Sequence, residues 1–109
     1  MECIFCKIVN GVLPANVVYE DEKIIAFDDI YPKAPYHKLI IPREHIPTLN
    51  ELVPENKDLI SEMIFLAKKL AKEYKIDRSG YRILINCNHD SGQVVFHLHL
   101  HLLGGCQIS

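Results

Sequence analysis

Residues 94–105 read Val-Val-Phe-His-Leu-His-Leu-His-Leu-Leu-Gly-Gly, which sets His97, His99 and His101 at strict two-residue spacing. Successive side chains of a strand point to opposite faces. The spacing therefore predicts three imidazoles in a row, with Leu98, Leu100, Leu102 and Leu103 buried behind them. A rise of about 3.3 Å per residue separates neighbouring imidazole roots by about 6.6 Å, a row able to grip a small anionic group. Imidazole is neutral near pH 7, yet it still serves as base, nucleophile or metal ligand. Three readings compete: a solvated strand that carries histidines by chance, one metal ion held by all three, or a nucleophile flanked by two helpers that hold a phosphoryl group. Parallel side-chain vectors do not converge on one ion without a bulge, and no Asp or Glu alternates with these histidines to support one. The third reading uses the parallel geometry as it stands, and we adopt it.

The four cysteines pose a second question. Cys3-Ile4-Phe5-Cys6 is a Cys-x-x-Cys pair close to the start of the sequence, while Cys87 and Cys106 stand alone. A redox pair is expected at the start of a helix that follows a strand, and no strand precedes this one. Half a zinc site fits better, with histidines as the natural source of the remaining ligands; two small apolar thiols packed in a core is the simpler alternative. Cys87 and Cys106 are expected to be buried and are given no role.

The bulk composition narrows the function classes. At 109 residues, 49% hydrophobic and 24% charged, the chain has the makeup of one globular domain spanning 1–109. A net charge of −2 offers no electrostatic footprint for a nucleic-acid backbone. No apolar run is long enough to span a membrane and no basic-then-apolar leader opens the chain, so a cytoplasmic protein with reduced thiols and no membrane partner is expected.

The elements that must position these groups follow from periodicity and punctuation. Residues 4–10 read as a short helix ended by Gly11. Val17–Glu20 and Lys23–Phe27 form a hairpin around Asp21-Glu22, and the Pro-bearing stretch 28–35 is a loop. His37–Ile41 is a third strand, stopped by Pro42. From Pro54 to Tyr74, Leu59, Met63, Leu66, Ala67, Leu70 and Tyr74 recur at helical spacing, with lysines gathered in the later turns as the helix dipole prefers. Val53 is a poor cap for that helix. Strands over 81–86 and 94–102, separated by the polar loop 88–92, complete an α+β layer: a five-stranded antiparallel sheet, one long helix and a short N-terminal helix. One helix cannot cover both faces or blunt both edges of such a sheet, which predicts a symmetric homodimer.

Taken together, these motifs resemble the histidine triad proteins. His97 to Leu103 matches that family's His-hydrophobic-His-hydrophobic-His-hydrophobic-hydrophobic signature. Cys3-Ile4-Phe5-Cys6-Lys7-Ile8, Leu39 to Ile46 and Gly92-Gln93 are similar to its flanking motifs, so the likeness runs from Cys3 to Gly105. Leu103-Gly104-Gly105 points to the nucleotide-binding branch, the purine nucleoside phosphoramidases, and away from the fragile-histidine-triad dinucleotide hydrolases. The resemblance implies a homodimer whose two sheets join, a purine nucleotide or nucleotide conjugate as ligand, and catalysis through a nucleotidyl-histidine. By position His99 would be the nucleophile that attacks the α-phosphorus of a nucleoside 5′-phosphoramidate, with its other ring nitrogen held by a backbone carbonyl. His101 and His37 would contact the phosphate, and Gly92-Gln93 would add donors to the same oxygens. Asn86 would sit at the ribose-phosphate end, Asp29 would take the ribose hydroxyls, and Phe5, Ile8, Phe27 and Ile30 would wall the purine. Read without the family, those four apolar residues suit any core, and Asp29 suits a turn before Pro32. Zinc-bearing members imply a structural zinc held by Cys3, Cys6, His45 and His97.

Two departures bear on the leaving group. Val94 stands where this branch commonly carries a serine, and the sequence stops at Ser109 without the longer aromatic-bearing tail of the eukaryotic members. Hydrolysis of dinucleoside polyphosphates, or a nucleotide-binding, zinc-stabilised interaction protein with weak catalysis, are the competing functions. His89 has no assigned role.

Overall fold

Five antiparallel strands lie in the order β1-β2-β3-β5-β4 in a computed structural model that describes residues 3–108. Met1, Glu2 and Ser109, the outer ends of the domain expected from the sequence, lie outside the described residues. The strands are β1 (Val17–Glu20), β2 (Ile24–Asp28), β3 (Tyr36–Pro42), β4 (Tyr81–Leu84) and β5 (Leu100–Gly104), with helices α1 (Ile4–Val9) and α2 (Lys57–Glu73). The hairpin turn is fixed by Asp21, whose Oδ1 accepts from the backbone of Lys23 and Ile24 at 2.8 and 2.9 Å. This is the local capping that makes Asp a turn residue.

Alternation along the central strands divides the core in two. Ile24, Ala26, Ile40, Leu98, Leu100 and Leu102 face α2, which buries Met63, Leu66, Ala67, Leu70 and Ala71 against them. Ile25, Phe27, Leu39 and Ile41 face the other way and meet Cys3 and Phe5 from the first turn of α1. Both faces of β2 and β3 are therefore dry, which explains their near-continuous apolar sequence. The histidine face is the α1 face, and Leu103 lies on it by alternation with His101 rather than behind it with Leu98, Leu100 and Leu102.

Four further expectations need correction. The last strand starts at Leu100, not Val94. Register sets Ile40 opposite Leu100, so two steps further on it would bring Leu98 to Pro42. Proline has no N–H, the Pro42 carbonyl is taken by the His97 ring at 2.7 Å, and the Leu98 amide turns instead to the Ile46 carbonyl at 2.6 Å. β4 likewise stops at Leu84, opposite His101; the register would set Ile85 at the first residue of β5 and Asn86 opposite His99, where β5 has not begun. α2 begins at Lys57 after a 3-10 turn over Pro54–Asn56, in which the Asn56 side chain caps the Val53 amide at 2.9 Å. Cys106 is exposed and Cys87 only half-buried, contrary to the default for lone cysteines.

Candidate active site

His37 on β3 and His101 on β5 share a face and approach diagonally, with His37 Nε2 2.9 Å from His101 Nδ1. Hydrogen-bond partners fix the tautomers. The Lys33 amide donates to His37 Nδ1 at 3.0 Å, so the ring hydrogen of His37 sits on Nε2 and points at His101 Nδ1. That leaves the hydrogen of His101 on Nε2, available as a donor. His99 adjoins His101, with ring centroids 5.0 Å apart, and its Nδ1 lies 2.7 Å from the backbone oxygen of His97. A carbonyl only accepts, so His99 carries its hydrogen on Nδ1 and keeps an unprotonated Nε2. Burial holds His37 and His99 below the ordinary histidine pKa, and lowers His101 to about 4 with help from the neighbouring His99 and His37 rings. At neutral pH the trio is therefore uncharged. It offers one lone pair, at His99 Nε2, beside one N–H, at His101 Nε2.

Asp29 borders this trio. Its Oδ1 accepts from the Tyr31 amide at 2.8 Å, the turn-forming bond expected of an Asp before a loop, and its Oδ2 lies 3.3 Å from His37 Nε2.

On the other side of His99, four potential ligand side chains converge. His97 donates Nε2–H to Pro42 and turns Nδ1 towards Cys3 Sγ at 3.4 Å, Cys6 Sγ at 3.6 Å and His45 Nδ1 at 3.3 Å. Cys6 Sγ lies 3.2 Å from His45 Nδ1, and all four ligand atoms fall within 4.8 Å of one another. Metal–nitrogen bonds of about 2.0–2.1 Å and metal–sulfur bonds of about 2.3 Å in a tetrahedron give N···N near 3.3 Å and S···N near 3.5 Å. The spacings fit. Cys3 also caps α1, its sulfur accepting from the Cys6 amide at 3.3 Å. The cluster can hold a metal ion, and it does so with only the first of the three row histidines.

With this geometry the comparisons become specific. The family described as scavenger mRNA decapping enzyme C-term binding matches residues 2–107. A HIT family hydrolase from Legionella pneumophila superimposes with a TM-score of 0.97 at 48% identity, covering 99% of this chain and 96% of that one. The chain belongs to the histidine triad (HIT) family. A histidine triad protein from Clostridium difficile is similar at 43% identity and a TM-score of 0.96, covering 100% of this chain and 95% of that one. A purine nucleoside phosphoramidase from Escherichia coli K12 is 45% identical over 104 residues, 95% of this chain and 87% of that protein.

The remaining residues singled out by the HIT resemblance fall unevenly around His99. Phe5 and Phe27 are buried edge to face with centroids 5.5 Å apart, beneath the half-buried Ile8. Ile30 is 80% exposed. Asn86 is half-buried just beyond β4, Gly92 is exposed, and Val94 is 84% exposed. Gln93 turns inward. Its Nε2 donates to the Pro47 and Val95 carbonyls at 2.9 and 3.0 Å, and its Oε1 accepts from the Asn88 amide at 2.7 Å. Its side chain thus braces the loop and has no donor left to aim at a phosphate. Asn88 needs that brace, since it sits at φ +67°, a conformation that costs a non-glycine residue about 1 kcal/mol or more. His89 stands fully exposed beside Asp90. Sequence reasoning missed the Lys33 amide and the Pro42 carbonyl, which orient His37 and His97. Both are backbone groups, and of the two only Pro42 carries a residue-type signal.

Proposed function

We propose that this chain, as a single HIT domain, hydrolyses purine nucleoside 5′-phosphoramidates to the nucleoside monophosphate through a nucleotidyl-histidine. The observation that carries this reading is the pairing of an unprotonated His99 Nε2, its Nδ1–H held by the His97 carbonyl, with the neighbouring His101 Nε2–H. The lone pair of His99 Nε2 attacks the α-phosphorus. A P–N bond to the enzyme forms as the P–N bond to the amine breaks, and the amine departs with a proton drawn from water. Water then attacks the nucleotidyl-His99, restoring the imidazole and releasing the monophosphate. His101 donates Nε2–H to the phosphoryl oxygens, His37 stands behind it and holds it in that tautomer, and the Gly92-Gln93 backbone approaches the same group. Asp29 takes the ribose hydroxyls, Asn86 the ribose-phosphate end, and Ile8 and Ile30, over Phe5 and Phe27, the purine. The 45% identity to a purine nucleoside phosphoramidase supports this substrate class.

The metal of the Cys3, Cys6, His45 and His97 cluster we assign as one structural zinc. Two thiolates and two imidazoles are a zinc donor set, and four protein ligands leave no open position. When bound, zinc supplies cross-linking of α1 to the His97 segment, not chemistry on the substrate. β4 is an edge strand that exposes Tyr81 and Ile83, which supports a homodimer with a continuous sheet. No described helix is long and apolar enough to cross a membrane, and the reduced thiols of the clamp suit a cytoplasmic protein.

The test is product analysis with adenosine 5′-phosphoramidate and diadenosine polyphosphates in parallel. The proposal expects AMP and free amine from the first, at a rate far above that for the second. Preferential cleavage of the polyphosphates, or turnover of neither, overturns it.

A further inference from the structure

We infer that Phe5 is a positioning residue through which the cluster of Cys3, Cys6, His45 and His97 sets the direction of His99 Nε2; the inference rests on the nucleotidyl-histidine reading above. Phe5 lies between the two cysteines on the first turn of α1, and both of its flanking sulfurs are committed to the cluster. Its ring meets Phe27, His97 at 6.0 Å between centroids, and His99 at 5.1 Å and 90°. It is only 6% exposed, so most of its surface is spent on these neighbours and little is left for a ligand.

His99 shows why that contact matters. Its bond to the His97 carbonyl restrains Nδ1, but a single hydrogen bond leaves χ1 and χ2 some play, and that play moves Nε2, at the far side of the ring, the most. The perpendicular Phe5 ring packs against His99 and narrows that play. His99 thus has two restraints, the Phe5 ring and the His97 carbonyl, and both come from residues tied to the same cluster. When the cluster is filled by metal, α1 and the His97 segment are locked together and His99 Nε2 has one direction. With the cluster released, both restraints loosen at once. In-line attack tolerates little misplacement, so the consequence falls on the chemical step more than on binding.

The experiment compares wild type with Phe5→Leu, and with Phe5→Met should leucine not fold, each with metal and after chelation at a temperature where the protein stays folded. Metal content, kcat and KM for adenosine 5′-phosphoramidate, and ring ¹⁵N shifts of His99 are measured. Phe5→Leu should keep its metal and hold KM within about threefold, while kcat falls roughly 10- to 100-fold and the His99 ring signals shift or broaden. Chelation of wild type should move the same signals. Chelation of Phe5→Leu should give less than the product of the two separate effects, because the Phe5 restraint is already gone and only the His97 restraint remains to loosen. A raised KM with unchanged kcat and unchanged His99 signals would overturn the inference and leave Phe5 as a wall for the base. Full multiplicativity of the two perturbations would also overturn it. Absence of turnover in wild type counts against the hydrolase reading alone, since the ¹⁵N shifts still judge the link between Phe5 and His99.

Discussion

His97 and His101 flank the same histidine at the same spacing, yet the two ends of the row do opposite things. His97 is fully buried, donates to the Pro42 carbonyl, and meets three other ligand atoms that close around one point. His101 is half-buried, takes a hydrogen bond from His37, and keeps its Nε2–H open. Asp29, His37 and His101 also bring their ligand atoms together, but the set has three members, not four. A closed four-ligand set suits structure, and an open arrangement of donors suits a substrate. One strand-like motif therefore carries a clamp at one end and chemistry at the other, with His99 between them.

The comparison breaks most sharply at its midpoint. His99→Ala should cut kcat by roughly 10⁴- to 10⁶-fold, as loss of a nucleophile does, with nucleotide affinity by calorimetry and metal content nearly unchanged. Substantial residual turnover would remove His99 from the centre of the account.

Variants on either side should then separate. His37→Gln should lower kcat about 10- to 10²-fold, because the imidazole that orients His101 Nε2–H towards the developing charge is lost, with the metal retained. His45→Ala should release the metal. For a loss of about 3 kcal/mol, its melting temperature should fall by roughly 12–24 °C. Elemental analysis and thermal melts check both. If His37→Gln loses the metal, or if His45→Ala holds metal and melts with wild type, the two ends are not distinct.

A third test concerns the leaving group. The side chain of Val94 cannot hydrogen-bond a departing amine, and at 84% exposed it is open to solvent. Val94→Ser should favour alkylamine over arylamine phosphoramidates of AMP, by up to roughly 10²-fold in the ratio of their rates. An unchanged ratio means that position 94 does not set this preference.

The smallest effect is on acid stability. His101 titrates at about 4 in the folded chain against the ordinary 6.5, so between those values the unfolded chain binds more protons and stability falls as pH falls. Melts of His101→Asn should show a shallower decline than wild type across that window. An equal or steeper decline would mean that His101 is not held neutral by its surroundings.

Much of this molecule is written locally and some of it is not. Ile24 to Phe27, Leu39 to Ile41 and the Met63 to Leu70 spacing declare their elements because burial and period agree. Alternation misleads at Val94 to His99, where histidine and leucine read as strand. Only the register of β3 shows that Pro42 ends the ladder there. The convergence of Cys3 and Cys6 on His97, 94 and 91 residues away, is not legible in local spacing and came from the family resemblance. From the sequence Gln93 and Phe5 read as ligand contacts, because inward-facing bonds to Pro47 and Val95, or an edge-on contact with His99, leave no trace in a single sequence. Gly104 is the reverse case. It marks a branch in the sequence, and in the fold a Cβ there would meet the end of the Ile76 side chain at 2.5 Å and Tyr81 Cβ at 3.3 Å, so local packing also favours glycine.

The central claim is that His99 Nε2 forms the covalent bond. Wild-type protein turning over adenosine 5′-phosphoramidate is quenched rapidly at alkaline pH, where phosphorus–nitrogen bonds to imidazole survive, and then digested and sequenced by mass spectrometry. The account predicts an adenylyl group on the peptide containing His97, His99 and His101, with fragmentation placing it on His99. An adduct on His101 or His37, or full turnover with no adduct at any quench time, would contradict it.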